Sequence, residues 1–441
     1  MAFEHTRLVE VRHGGRTVGA LSPDRGATAF QYDSGWRKHG IELAPFLLPL
    51  SGGGRVSTFP RLRAETFHTL PPTFADSLPD RFGNALIDSW MARQGVSAAD
   101  ITALDRLAYV DGRAMGALEY VPDRGPGTPP PTILDLSELT VAARDAIAGT
   151  LDERDAETTH ALQSILQVGT SAGGARPKAV LNIVDATLET GHAEFRAGGR
   201  PPGPGESAWL LKFDGVTDER TLATSQQYTR LEYAYALMAQ AAGIRMSECR
   251  LVHEGGRAHF LTRRFDRPAP GLKVHMTTLC GLRGLDNDDI GVHDYADLFT
   301  TIRDLGLDEN AMVEGFRRMV FNVLAVNHDD HTKNHAFLMS DAGEWSLAPA
   351  YDVSYSNNPA HPYMRQHCMG VDGEFLAITP ERMLALADRF AIPYAKRVLG
   401  EVRDVVDSWA EFAAAAEVPD DQMRRVRLAH ETFGRGEPVT V

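Results

Sequence analysis

An α+β fold is predicted by the order of patterns along this chain, with short strands first and helices afterwards. Three observations carry the prediction. The first ~120 residues break into brief, partly alternating runs separated by Gly or Asp-rich turns. Two apolar runs near the middle flank a Pro/Gly cluster, and from about Tyr228 onward the apolar spacing becomes helical.

Taken in order, Arg7–Arg12, Arg16–Leu21 and Thr28–Tyr32 read as strands. Leu86, Ile87, Trp90 and Met91 give Arg81–Gln94 a helical stripe. Ala108–Val110 reads as a short strand before the Gly-Ala segment Gly112–Leu118. Pro122–Pro131 (PDRGPGTPPP) holds five prolines and two glycines, a composition suited to a stiff linker. Ala179–Val184 and Ala208–Phe213 read as strands, and the intervening Ala197–Gly205 (AGGRPPGPG) as a long exposed hairpin connection. Tyr228–Ala242 carries Leu231, Tyr235, Met238 and Ala242 on one stripe and stops at Gly243. Met312–Val326 has the spacing of a buried helix and runs directly into NHDDHTKN. A strand (His335–Met339), a turn (Ser340–Glu344) and a second strand (Trp345–Pro349) follow, and Pro380–Phe433 reads as helical. No internal repeat of useful period is present. This organisation predicts three units: a β-rich subdomain over 1–124, a sheet-bearing lobe over 132–267 and a helical lobe over 268–441.

Composition narrows the class. The chain has 441 residues, 43% hydrophobic and 24% charged, which excludes a disordered chain, a collagen-like fibre or a coiled-coil rod. Lys and Arg number 45 against 59 Asp and Glu, a net charge of −14, which argues against gripping bare nucleic acid over a broad basic surface. Cys249, Cys280 and Cys368 are too few and scattered for a disulfide framework or zinc cage. The start, MAFEHTRLVEVRHGG, lacks a signal peptide's apolar run. No stretch reaches the ~20 apolar residues of a membrane helix. A cytoplasmic protein with no membrane contact is the expectation.

The segment Asn327–Asn334 (NHDDHTKN) is the most informative. Metal ligation by His328, Asp329, Asp330, His331 and His335 is one reading, but consecutive residues point in different directions on any regular element. The spacing of Asp329 and Asn334 supports another. In an Asp-x-x-x-x-Asn loop the Asp accepts the proton of an attacking hydroxyl and the Asn holds magnesium, as in a kinase catalytic loop. The hairpin that follows returns Asp352 to the same place, where it would chelate magnesium and nucleotide phosphates. Lys212, in an apolar strand, needs a partner if buried, and Glu232 in the next helix is placed to supply one. Gly169–Lys178 (GTSAGGARPK) fails as a Walker loop, because Pro177 precedes Lys178 and Ala179 follows it. It is either a phosphate-covering Gly-rich turn or an ordinary flexible one. Gly-rich turn, strand Lys, helix Glu, D-x-x-x-x-N, then Asp is the order of parts in a protein kinase.

With these residues assembled, the chain resembles the HipA family, the serine/threonine kinase toxins of bacterial toxin–antitoxin pairs. The resemblance rests on SAGGARPK (Ser171–Lys178), LLKF (Leu210–Phe213), RRFDR (Arg263–Arg267), NHDDHTKN and LAPAYDVS (Leu347–Ser354), with SLPDRFG at Ser77–Gly83. It implies a bilobal, protein-kinase-like α+β fold with an N-terminal β-rich subdomain and a helical C-lobe. It implies Asp329 as catalytic base, Asn334 and Asp352 as magnesium ligands, and Lys212 on the ATP phosphates. The loop Gly173, Gly174, Ala175, Arg176, Pro177 and Lys178 would cover the nucleotide. His331, Thr332, Lys333, Asn334 and Tyr351 would lie below it, with Arg263, Arg264 and Phe265 as a hinge against adenine, largely through backbone groups. Ser171 matches the autophosphorylated serine, with Thr170 a second acceptor; phosphate there would compete with ATP for the same amides and cations. Pro177 removes one amide from that loop, and the Ala197–Gly205 insertion has no implied role. The implied partners are a small helix-turn-helix antitoxin (HipB-like), which carries the acidic toxin to DNA, and a protein substrate of the aminoacyl-tRNA synthetase class. The competing readings are a kinase of the same fold acting on a small molecule or lipid, and a non-catalytic corepressor module.

Overall fold

The computed structural model describes residues 3–79, 81–127, 133–148, 177–190, 192–216 and 228–432. Strands β1 (Val9–His13), β2 (Arg16–Asp24) and β3 (Ala27–Tyr32) form where the alternating runs predict them. Gly14 and Gly15 turn the first hairpin with φ of +55° and +74°, the left-handed pair that matches strand twist. A fourth strand, β4 (Leu118–Val121), joins β1 and gives the order β3-β2-β1-β4. The strand expected at Ala108–Val110 is instead the end of the helix Ala103–Val110. Thr102 and Asp105 cap it reciprocally, a signal that outweighs a three-residue apolar run, whose periodicity cannot separate helix from strand.

The described half of the Pro-rich stretch, Pro122–Gly127, folds back rather than standing off as a stiff linker. The Arg124 amide donates to the Ala108 carbonyl at 2.8 Å, and a Cβ on Gly125 would overlap the Tyr109 carbonyl. A second sheet follows, with β5 (Ile133–Leu134), β6 (Lys178–Val184), β7 (Phe195–Ala197), β8 (Glu206–Lys212), β9 (Cys249–Glu254) and β10 (Arg257–Arg263). Its order is β5-β7-β6-β8-β10-β9. Ala197–Gly205 therefore joins β7 to β8, and it is not a loose hairpin. The Glu206 carboxylate gathers Arg196, Arg200 and the Gly203 amide at 2.6–2.8 Å. Phe82 and Leu86, from the helix Arg81–Ala92, pack with Leu139 against Leu181, Trp209 and Leu211 of this sheet. The N-terminal region and the second sheet thus share a core.

The C-terminal body is helical around one large apolar core that includes Tyr235, Met238, Phe299, Phe316, Phe321 and Trp409. The helix Glu309–Leu324, capped by Asp308, runs through its centre. A small sheet of β11 (His275–Thr278), β12 (Ala336–Met339) and β13 (Trp345–Leu347) sits at its edge. The hairpin was expected; its third strand, β11, was not. The whole is α+β and bilobal, with an N-terminal β-rich part, a sheet-bearing lobe and a helical lobe. Among the described residues, no helix is long and apolar enough to cross a membrane.

Asp266 ties the N-terminal β-rich part to the sheet-bearing lobe. It is fully buried and accepts from Arg264 at 2.7 Å, Arg267 at 2.8 Å and the Gly116 amide at 2.7 Å. The two guanidiniums also donate to the carbonyls of Ala114 and Gly116. Burial opposes ionisation of this carboxyl, but the guanidiniums hold it at about 2.

Buried histidines make stability pH-dependent. Burial lowers His275 and His328 to about 3 and His430 to about 4, against about 6.5 in an unfolded chain. A depressed folded pKa means that the unfolded state binds more protons as pH falls through 6.5, so stability drops on acidification. The unfolding temperature is expected to be level above pH 7 and to fall between pH 6.5 and 5, before carboxylates titrate. At pH 5 each such histidine contributes a loss of up to about 2 kcal/mol. A level midpoint by circular dichroism across that range would refute the assignment.

Candidate active site

The helix Glu309–Leu324 delivers the chain into Asn327–Asn334 through Val326, which is fully buried at φ +55°. A β-branched residue there is strained. Its backbone is held by amide bonds from Val326 to the Val323 carbonyl and from Asn327 to the Asn322 carbonyl.

The two adjacent aspartates then diverge. Asp330 is fully buried. One oxygen accepts from the Tyr295 hydroxyl at 2.8 Å and His367 Nδ1 at 3.0 Å; the other accepts from the amides of Cys368 at 2.8 Å and Met369 at 3.2 Å. Tyr295 in turn accepts from Asn322, and Asn322 from Asn327. Burial pushes the Asp330 carboxyl up, yet these donors hold it below the ordinary range. Asp329 points the other way, with a side chain 49% exposed and His331 Nε2 at 3.7 Å. Asp330→Ala is expected to cost roughly 3–5 kcal/mol, because it strands four buried donors. Denaturant unfolding reads this, and a loss below about 1 kcal/mol would contradict the network.

The short 3₁₀ turn Thr332–Asn334 brings Asn334 back under Asp329, where its Nδ2 donates to the Asp329 carbonyl at 2.7 Å. That bond uses the side-chain nitrogen, so Oδ1 is the atom of Asn334 suited to a hard metal ion. The Thr332 hydroxyl is committed to the Leu285 carbonyl at 2.9 Å. Asp352 sits at φ +55°, a conformation costly for a residue with a side chain. One of its oxygens pairs with Lys212, which also pairs with Glu232. Lys212 and Glu232 are 5% and 3% exposed. The ammonium is buried, but Asp352 and Glu232 outweigh that penalty and raise its pKa. Burial raises Asp352 less than Lys212 and Lys178 lower it.

Lys178 lies directly across from Lys212 in the β6–β8 register. Like charges opposite one another repel, and the Asp352 carboxylate lies close enough to feel both ammoniums. The rings of Phe265 and Tyr351 approach at 5.8 Å between centroids, and the Tyr351 hydroxyl donates to the Lys333 carbonyl. The Arg263 and Arg264 amides already donate to the carbonyls of Glu248 and Ala208. The Arg264 side chain is spent on Asp266, while Arg263 is exposed beside Glu248.

The structure therefore brings together Asp329, Asn334, Asp352, Lys212, Glu232, Lys178, Lys333 and Tyr351. Thr170, Ser171, Gly173, Gly174, Ala175 and Arg176 lie outside the described residues; Pro177 is described, immediately before β6. Among the described residues, no three His, Cys, Asp or Glu side chains are grouped to hold a metal ion. His328, offered as a ligand, bonds the Met364 carbonyl through Nδ1. The oxygens of Asn334 and Asp352 form a hard donor set of carboxylate and amide type, which fits magnesium. Sequence reading missed the buried clasp of Asp266, although RRFDR was in view, and the anchoring role of Asp330; neither Asp carries a local signal of burial.

Comparison with known proteins completes this picture. A family model described as the HipA-like C-terminal domain matches residues 170–410, and one described as the HipA N-terminal domain matches residues 9–121. The chain is 24% identical over 426 residues to the serine/threonine-protein kinase toxin HipA of Shewanella oneidensis, covering 89% of this chain and 86% of that protein. It is 26% identical over 364 residues to the kinase-named protein Y4mE of Sinorhizobium fredii, covering 79% and 77%. Among solved structures, the complex of Shewanella oneidensis HipA, HipB and operator DNA aligns at a TM-score of 0.65 and 19% identity, covering 97% of this chain and 96% of the matched one. At that identity the likeness is one of fold.

Proposed function

The chain belongs to the HipA family, and from that premise we propose that it is an ATP- and magnesium-dependent serine/threonine protein kinase acting as a toxin. The observation that carries the reading is the Glu232–Lys212–Asp352 arrangement beside an exposed Asp329. A structural carboxylate would be spent like Asp330; Asp329 is left to meet a substrate.

In this reading Asp329 takes the proton of a serine or threonine hydroxyl as its oxygen attacks the γ-phosphorus of ATP and ADP departs. Lys212 and Lys178 face the phosphates, and Phe265 and Tyr351 offer ring faces to the base. Because the Arg263 and Arg264 amides are in use, the hinge contribution falls to Phe265 and to carbonyl groups. Magnesium bound by Asn334 and Asp352 would neutralise phosphate charge. Gly173–Arg176 would close over the nucleotide, and Ser171 or Thr170 would be the site of autophosphorylation. A helix-turn-helix antitoxin and a translation component such as an aminoacyl-tRNA synthetase are the proposed partner and substrate. The net charge of −14 suits a basic partner that contacts DNA in its place.

Incubation with labelled Mg-ATP and a cell lysate, followed by intact mass and phosphosite mapping, tests this. Label is expected on the protein itself at Ser171 or Thr170 and on one principal lysate protein. Label confined to small molecules or lipids would favour the alternative kinase. No transfer at all would leave a binding module.

A further inference from the structure

Asp76 follows the short helix Pro72–Ala75 in the N-terminal region, yet its side chain bonds the C-terminal body. Oδ2 accepts from the Thr278 amide at 2.8 Å and the Thr277 hydroxyl at 3.0 Å, and Oδ1 accepts from the Thr278 hydroxyl at 2.9 Å. Gly281 makes room for it. A Cβ at 281 would overlap Asp76 Oδ2 and stand 2.7 Å from its Cγ. Glycine inside the helix Leu279–Arg283 is less favourable than alanine would be, so the berth is maintained at some expense in local stability.

What the berth supports is the catalytic turn. Thr278 caps the helix Leu279–Arg283 by accepting from the Gly281 amide. The Leu279 amide donates to the His335 carbonyl at 2.7 Å, and Thr278 pairs with Ala336 across β11 and β12. Just past the far end of that helix, the Leu285 carbonyl accepts from Thr332. The turn Thr332–Asn334 is thus strung between two attachments to one helix, whose start Asp76 fixes. Burial raises the Asp76 carboxyl, while the Thr278 amide and the nearby Lys333 ammonium act against that rise.

We propose that Asp76 is a positioning residue for phosphotransfer, a carboxylate from the N-terminal region that sets the Thr332–Asn334 turn through Thr277–Leu279. The inference rests on the kinase reading and deepens it, because the N-terminal region then becomes part of the catalytic apparatus. Catalytic geometry tolerates little displacement; about 1 Å can cost 10²-fold in rate.

The test uses the full chain carrying Asp76→Asn, Gly281→Ala or Thr277→Val, with autophosphorylation followed at varied magnesium and fixed ATP, and unfolding midpoints in parallel. Asp76→Asn and Gly281→Ala are each expected to lower the saturating rate constant of autophosphorylation by about tenfold or more and to raise the half-saturating magnesium severalfold, at temperatures well below their unfolding midpoints. Thr277→Val, which removes one bond, should shift both in the same direction by less. Lowered midpoints with a wild-type rate constant and wild-type half-saturating magnesium would overturn the proposal and leave Asp76 a purely structural residue. Should the first two variants fail to fold, wild-type kinetics in Thr277→Val would overturn it. A wild-type chain with no phosphotransfer would instead sink the kinase reading, and this inference with it.

Discussion

Asp329→Asn is expected to lower phosphotransfer by about 10²–10⁴-fold, the range for loss of a general base, with the unfolding midpoint unmoved. The side chain is 49% exposed, and among the described residues its ion-pair contact is His331 at 3.7 Å, so the amide disturbs none of the described contacts that hold the loop. Expression without an antitoxin gives a second readout: the variant should be tolerated where the wild type arrests growth. Undiminished toxicity with full-length folded Asp329→Asn would transfer the effect from chemistry to binding.

Lys212→Met is expected to damage both stability and activity. It leaves the buried Glu232 and the partly buried Asp352 without their shared cation, and breaking a buried pair costs roughly 3–5 kcal/mol. Loss of a charge aimed at the phosphates should also lower turnover by about 10²-fold or more. The double variant Lys212→Met/Glu232→Leu separates the two effects. It should regain much of the stability, since an apolar pair can replace a buried ion pair, and none of the activity. Recovery of phosphotransfer in the double variant would show that Lys212 serves the fold alone.

The site was legible in the sequence where chemistry depends on spacing along the chain. Asp329 and Asn334 are five residues apart, and a hairpin returns Asp352 to them, so local geometry sufficed. Lys212 and Glu232 were legible because an ammonium in an apolar strand demands a partner. Asp330 was not, because its four donors come from Tyr295, His367, Cys368 and Met369, and nothing local distinguishes it from Asp329. The strand β11 was hidden for a related reason. His275–Thr278 is only four residues long, and its partner β12 lies some sixty residues further on. At Ala108–Val110 the Thr102–Asp105 cap outweighs the apolar run, and β7, only Phe195–Ala197 and ending where the Pro/Gly segment begins, is too short to show a period.

The Asp266 clasp has a consequence for the order in which the molecule is made. Gly116 and Asp266 are 150 residues apart, an interval of about 8–30 s of synthesis at 5–20 residues per second. For that time the N-terminal part emerges from the ribosome with this attachment unmade. The clasp becomes available once Arg264–Arg267 has appeared, still ahead of Asn327–Asn334. A nascent chain therefore has the means to fasten its N-terminal part to the sheet-bearing lobe before the segment that carries Asp329, the proposed base, has been made.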